Sequence, residues 1–354
     1  MKKQNRETLL LILFFSALFL NSYGQSFLSD SSAAAEHHHT PWEILSGDGD
    51  DTLVCYKQAH RNMYFVVTGL IITIALIALK LLSTNKKNNK ILKLQNEIIE
   101  EKNKSITDSI NYAKRLQTAI LPPKDFIKSI LPEHFILYQP KDIVSGDFYW
   151  VSHHDTKIMV AAIDCTGHGV PGALLSIVGH NAINQSVNES GIMQPSKVLD
   201  SMNTIIKKVL HQDKGSDIRD GMDMALCTFD KITNILEYAG ANNPVFIISD
   251  GKLNIIKGSK LTVGSMEEDK VEPPVNHSIQ LTKGDCFYIF SDGYVDQFGG
   301  EGNKKFKTSK FQELLISITN QPMPEQEKSI SQAFKNWKGK NEQVDDVLVI
   351  GIRV

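Results

Sequence analysis

Four aspartates stand where chemistry could be done, each beside an apolar run and a glycine or turn. Asp147 closes Ser145-Gly146-Asp147 ahead of Phe148-Tyr149-Trp150, and Asp164 follows the run from Met159 to Ile163. Asp292 follows Phe287 to Phe290, and Asp345-Asp346 precede Val347 to Ile350. Carboxylates at the ends of neighbouring strands converge on one edge of a sandwich. Hard divalent cations such as Mg2+ or Mn2+ take oxygen ligands, keep several waters and need few carboxylates per ion. Two ions sharing a bridging aspartate activate water and neutralise a phosphoryl group. Any one of these aspartates alone reads as well as a turn residue or helix cap. The repeated context favours a metal site.

The sharpest local signal runs from Asp164 through Cys165-Thr-Gly-His-Gly-Val-Pro-Gly-Ala-Leu to Leu175, a strand, a Gly-rich turn and a helix carrying Pro171 in its first turn. Backbone at Gly167 and Gly169 can approach an ion or anion closely, and the helix N-terminus favours negative charge. A nucleotide P-loop would need Gly-Lys-Ser/Thr after its glycines, which is absent, so ATP or GTP hydrolysis is disfavoured. His168 is open to two readings, a general acid or an ordinary turn histidine.

Composition bounds the rest. The chain has 354 residues, 38 Lys+Arg against 40 Asp+Glu and 42% hydrophobic residues, enough for a core and too evenly charged for non-specific nucleic-acid binding. Its four cysteines show no Cys-x-x-Cys spacing, so neither a zinc ribbon nor a disulfide framework is written here, and a reduced, cytoplasmic catalytic portion is the simplest reading.

Residues 1–24 have a basic start and a short apolar run from Leu9 to Leu20, the pattern of a secretory signal peptide. A second run, Met63 to Leu82, is about long enough to cross a bilayer as one helix, with Lys80 near its end. Lys86, Lys87, Lys90 and Lys93 follow it, which by the positive-inside rule puts the C-terminal part in the cytoplasm and the protein in the inner membrane as a single-pass chain. Residues 25–62 form a short extracytoplasmic segment, and His37 to His39 within it read as exposed loop rather than metal ligands. From residue 83 to 121 spaced apolar residues predict a helical linker, either a parallel coiled coil or a solitary helix docked on the next domain, ended by Pro122-Pro123.

Residues 122–354 alternate short apolar runs with turn signals. Strands are predicted at 135–138, 148–151, 158–163, 224–230, 235–239, 245–249, 279–281, 286–290 and 347–354, and helices at 172–189, 195–211, 310–318 and 324–338. Tight turns such as Asp250-Gly251 and few long helices favour sheet-on-sheet packing with helices outside.

In order and spacing, SGDFYW, AAIDCTGHGVPGALLS, YAGANNP, FYIFSDGYVD and QVDDVLVIGIRV resemble the bacterial metal-dependent protein serine/threonine phosphatases of the PPM clan, in the branch of sporulation protein E and sigma-factor regulators. The resemblance covers Tyr112 to Val354. It implies an α+β fold, a central β-sandwich of two antiparallel sheets flanked by α-helices, and a site for two Mn2+ or Mg2+ ions. The implied substrate is phosphoserine or phosphothreonine on a partner such as an anti-sigma-factor antagonist. By motif, Asp164 would bridge the ions and the Cys165 carbonyl would bind the second. Asp292 and Asp345 would hold the first, and Asp147 would serve the second directly or through water. Asp346 would orient the site and Gly167 shape the loop. Asp223 is a weaker candidate, equally explained as a strand-edge charge. The implied chemistry is in-line attack on phosphorus without a covalent phospho-enzyme.

Two alternatives stay open. A catalytically weak scaffold should have lost metal aspartates, and none of Asp147, Asp164, Asp292 or Asp345 is missing. A hydrolase of small phosphate esters would want basic residues near the motifs, which hold almost none. Only the short outer segment and one helix stand ahead of the phosphatase motifs, so that helix is expected to pair two subunits into a homodimer and set the geometry of the site.

Overall fold

The computed structural model describes residues 49–211, 220–265 and 273–354. The expected signal peptide, and the extracytoplasmic segment up to residue 48 with its three histidines, lie outside the described residues. The chain divides into two compact units, residues 1–97 and 98–354.

Helix α1, Gly49–Ile120, runs through residues 49–62 as well as the apolar stretch and the linker. Residues 50–62 contain neither glycine nor proline, so nothing local stops the helix there. In the first unit its side chains from Met63 to Leu82 are exposed almost throughout, as in Ile71, Ile72 and Leu79. Among the described residues this is the helix long and apolar enough to cross a membrane, by length and composition.

The second unit begins within α1. After Pro122-Pro123, α2 (Lys124–Ile130) buries Ile127 and Ile130 and leads, among the described residues, into twelve strands. One antiparallel sheet has the order β1-β12-β9-β6-β7, from β1 (His134–Gln139), β12 (Val347–Arg353), β9 (Cys286–Phe290), β6 (Val245–Ser249) and β7 (Lys252–Ile256). The other has the order β2-β3-β4-β5-β8, from β2 (Phe148–His154), β3 (Lys157–Cys165), β4 (Met222–Asp230), β5 (Ile235–Ala241) and β8 (His277–Gln280). The remaining pair, β10 (Phe298–Gly299) and β11 (Lys304–Lys305), forms a small ribbon. Two antiparallel sheets with helices are the expected architecture.

Burial explains which sequence patterns became which strands. Strand β3 is central, so its run from Ile158 to Ile163 is buried throughout and shows no alternation. The main core lies between the sheets and continues under α3 (Gly169–Asn184) and α4 (Pro195–Val209). A second cluster packs the first sheet under α6 (Thr308–Ile318) and α7 (Met323–Lys338). It centres on Tyr294 of the short helix α5 (Gly293–Asp296), whose ring lies 4.7 Å from that of Phe311, while Phe290 lies 4.9 Å from Phe311. Burying each such ring stabilises the fold by about 1.5–3 kcal/mol. The Tyr294 hydroxyl donates to the Ile330 carbonyl at 2.9 Å, which fixes the turn carrying Asp292. Cys165, Cys227 and Cys286 are buried free thiols.

Candidate metal centre

Strand pairing brings the aspartates together from both sheets. In the second sheet Asp164 of β3 sits directly across from Asp223 of β4, and Asp147 lies one residue ahead of β2, which pairs with β3 through Phe148 and Ile163. In the first sheet β9 and β12 run antiparallel, so the residues just after β9 and just before β12 meet at one end. Those are Asp292 and the pair Asp345-Asp346. A Cβ on Gly293 would fall 2.0 Å from the Asp346 carbonyl oxygen, so only glycine lets the two loops close. The Ser291 backbone N–H donates to the Leu348 carbonyl and the Leu348 N–H to the Ser291 hydroxyl, at 3.0 and 3.1 Å, locking that closure.

The two loops of the second sheet meet as tightly. Side chains on Gly146 or Gly172 would fall 2.4 and 2.3 Å from the Gly167 carbonyl oxygen, so both positions need glycine for the turn after Cys165 to nest against Ser145-Gly146-Asp147. The Cys165 carbonyl faces the same gap, 3.2 Å from the position a Gly146 Cβ would take. Burial pushes the Cys165 thiol up, so its oxygen rather than its sulfur is the ligand available to a hard ion.

Electrostatics show the aspartates acting on one another. Burial, then the charge of Asp164, holds the Asp147 carboxyl well above the ordinary range. Burial, with Asp292 and Asp345 next, pushes Asp164 up to about 7. Burial, Asp296 and Asp345 push Asp292 up to about 6. Asp223 is also raised by burial, offset by hydrogen bonds from the Asn242 amide (2.9 Å) and the Thr262 hydroxyl (2.8 Å) to its Oδ1. Lys305 acts weakly on Asp292 and is ion-paired to Asp296 at 2.7 Å.

Asp147 supplies the test of fit for a cation. It is 2% exposed, and its Oδ2 is buried with no hydrogen-bond partner among the described residues. An unpaired buried carboxylate oxygen beside a second carboxylate is costly unless positive charge is added. Among the described residues no three His, Cys, Asp or Glu side chains form a ready-made cage. Few protein carboxylates, a backbone carbonyl and room for water suit Mg2+ or Mn2+ and do not suit zinc. The residues therefore fit hard divalent ions.

Asp346 does something else. Its Oδ2 accepts from the Gly146 N–H and its Oδ1 from the Lys141 N–H, both at 2.7 Å, so one carboxylate pins both ends of the loop that delivers Asp147. The His168 ring lies between Asp142, 2.6 Å from Nδ1, and the Lys141 ammonium, 2.9 Å from Nε2. A lysine donating to Nε2 leaves the proton on Nδ1, facing Asp142.

Sequence reasoning missed Gln117. Near the end of α1 its side-chain amide donates to the Ser145 carbonyl (2.6 Å) and the Ser176 hydroxyl (3.0 Å), and its oxygen accepts from the Ser145 N–H (3.1 Å). A polar residue within the apolar-spaced stripe of the helix carries no sequence signal of its burial, which the structure shows at 5% exposure. Asn242 and Thr262, which hold Asp223, were also missed, although Asn242 lies in the quoted YAGANNP motif.

The model of the Stage II sporulation protein E (SpoIIE) family matches residues 154–354. The chain belongs to the SpoIIE family of PPM-type phosphatases. The match begins after Asp147, which the fold alone brings to the other aspartates. Over 160 residues the chain is 27% identical to phosphoserine phosphatase RsbU of Bacillus subtilis (strain 168), and it spans 44% of that relative's length, as of its own. The SiaA-PP2C domain of Pseudomonas aeruginosa is similar at 32% identity with a TM-score of 0.65, over 71% of this chain and 98% of that domain. The PP2C phosphatase domain of SpoIIE from Bacillus subtilis, solved with a fragment of its regulatory domain, shares the fold at 20% identity and a TM-score of 0.51, over 63% of each chain.

Proposed function

We propose that this SpoIIE-family chain is a membrane-anchored, metal-dependent protein phosphatase that removes phosphate from serine or threonine of a cytoplasmic regulatory protein. The observation that carries the reading is that Asp147, Asp164, Asp292 and Asp345 lie at strand ends of two sheets, that the other three all act on Asp164, and that an Asp147 oxygen has no partner among the described residues. RsbU, the curated relative, is named a phosphoserine phosphatase.

In this reading Asp164 would contribute to both ions, Asp292 and Asp345 would hold one, and Asp147 with the Cys165 carbonyl would hold the other. Bound divalent ions supply the Lewis acidity that activates water and offsets the charge of the phosphoryl oxygens. The chain's own groups keep that arrangement in place. Asp346 fixes the loop of Asp147, Gly146 and Gly172 admit the Gly167 carbonyl, and Asn242 and Thr262 orient Asp223. Lys141 and His168 form a polar, partly exposed rim beside the Gly-rich turn, where an anionic phosphoester would approach. Gln117 ties the end of the membrane-linked helix to the Asp147 loop, so pairing of two such helices would reach the site through one buried amide.

The test is phosphatase activity of the full-length chain in detergent, with and without Mn2+, on an aryl phosphate and a phosphoserine peptide. Metal-dependent turnover lost in Asp164→Ala and Asp292→Ala is the expected result. Turnover retained in both variants would refute the assignment, and wild-type inactivity despite measured Mn2+ binding would refute the enzyme reading in favour of a scaffold.

A further inference from the structure

Away from the aspartates, a groove of about 1100 Å³ runs along β1, between α2 and α7. Every residue of β1, from His134 to Gln139, lines it. Among the described residues strand β1 is the end strand of its sheet and pairs with β12 on one side only. The Arg353 N–H donates to the Glu133 carbonyl, which makes those two residues a hydrogen-bonded pair. The register then alternates, so Phe135, Leu137 and Gln139 bond to β12. The backbone N–H and C=O groups of His134, Ile136 and Tyr138 therefore face the groove. An open strand edge of this kind is a template for another strand.

The walls are charged with one predominant sign. Lys124 and Lys128 on α2 and Lys328 and Lys335 on α7 line the groove, against the single carboxylate of Glu327. Lys328 is partly neutralised by Glu325 at 2.7 Å, while Lys124 and Lys128 are exposed. Pro132 and Pro140 bracket β1, so an added strand could pair over about six residues and no further. The groove also touches the candidate site: the Tyr138 hydroxyl donates to the Asp147 carbonyl at 3.0 Å.

We infer that this groove is a docking site for an acidic, extended segment of the protein substrate, added antiparallel or parallel to β1 as a sixth strand of its sheet. The backbone edge supplies affinity for any extended peptide, and the lysines select an acidic one. A segment seated there would hold its own phosphorylated residue close to the loop of Asp147. The inference rests on the phosphatase reading for the identity of the occupant, but the binding it requires can be measured without catalysis.

The probe is a fluorescein-labelled ten-residue peptide of alternating Glu and Val, with alternating Lys and Val as control, read by anisotropy with the full-length chain in non-ionic detergent. Saturable binding of the acidic peptide alone is expected, weakened by about tenfold or more in Lys124→Glu/Lys128→Glu and by added salt. Glu327→Lys should bind several-fold tighter. Ile136→Pro, which removes an N–H that faces the groove and no ladder bond to β12, should weaken binding more than Ile136→Ala, which gives up the same core contacts but keeps the N–H. A phosphoserine peptide extended by the acidic segment should gain in kcat/KM, and the lysine variants should abolish that gain without altering turnover of an aryl phosphate. Binding of the acidic peptide without turnover of any phosphoester would uphold the groove and sink the phosphatase reading. Equal binding of the lysine peptide, unchanged affinity in Lys124→Glu/Lys128→Glu, or affinity only for phosphatidylglycerol vesicles would overturn the docking inference.

Discussion

Asp147 and Asp346 are equally buried, each 2% exposed; Asp147 ends the loop ahead of β2 in one sheet, and Asp346 reaches that loop from the other. Asp346 has both oxygens taken by backbone N–H groups, which balances its charge within the protein. Asp147 has an oxygen with no partner and a neighbouring carboxylate that repels it. Burial alone thus does not distinguish a structural carboxylate from a ligand. The distinction lies in whether the fold has already supplied the donors.

This contrast can be broken most directly by exchanging each carboxylate for its amide or for alanine. Asp147→Asn and Asp164→Ala should each lower Mn2+-dependent turnover on the order of a thousandfold, measured as kcat on the aryl phosphate, because on the proposed reading the ions would lose ligands. At the same time the metal-free Asp147→Asn protein should melt at a higher temperature than wild type, since a repelling charge has been removed. Asp346→Ala should go the other way, with two N–H groups left without their acceptor and a loss of about 2–5 kcal/mol in denaturant unfolding. If Asp147→Asn destabilised the metal-free protein as much as Asp346→Ala, the contrast would be lost.

Acidity sharpens the same point. The native carboxyls of Asp164 and Asp292 are raised to about 7 and about 6, above the ordinary aspartate value of the unfolded chain. Their protonated forms are therefore favoured by folding, and the stability they contribute is present at low pH and lost as pH rises through those values. The metal-free protein should become more heat-stable as pH falls from about 8 to about 5.5, whereas saturating Mn2+ should flatten that slope at the upper end. A calorimetric pH series with and without Mn2+ checks this.

The smallest effect belongs to Gln117. Gln117→Leu should cost about 1–2 kcal/mol through the buried partners it abandons and should reduce turnover several-fold by loosening Ser145 and the residues after it. Full activity, together with unchanged response to the preceding helix, would exclude the amide as a link between them. A chain starting at Pro122, which lacks Gln117, should show at least the same loss when compared with one starting at Ser83.

The sandwich was largely legible because its strands are apolar runs closed by turn residues. Strands β6 and β9 have the boundaries read from sequence, and β3 extends that reading by one residue before and two after. Strand β7 was not legible, since an edge strand reading Lys-Leu-Asn-Ile-Ile leaves most of its side chains exposed and lacks a run. Helix α2 was hidden by its length, a single pair of buried isoleucines after two prolines. In the site, residue types and strand ends pointed to Asp147, Asp164, Asp292 and Asp345 as candidates. The donors that distinguish Asp346 come from residues about 200 positions away in sequence, and Gln117 reaches residues 28 and 59 positions away. No local pattern encodes such pairings, which exist only once the sheets have closed.

The buried thiols offer a clock for that closure. Cys165 follows Asp164 at the end of β3, Cys227 is held inside β4, and Cys286 opens β9 of the other sheet. A thiol reagent reaches a buried cysteine only when its surroundings open, so labelling rates convert each cysteine into a reporter of local or global opening. If the aspartate-bearing loops breathe independently of the sandwich, Cys165 reacts ahead of the other two and is the one slowed by added Mn2+. The chain thereby carries its own time-resolved gauge of how firmly its two sheets are joined at the edge where they meet.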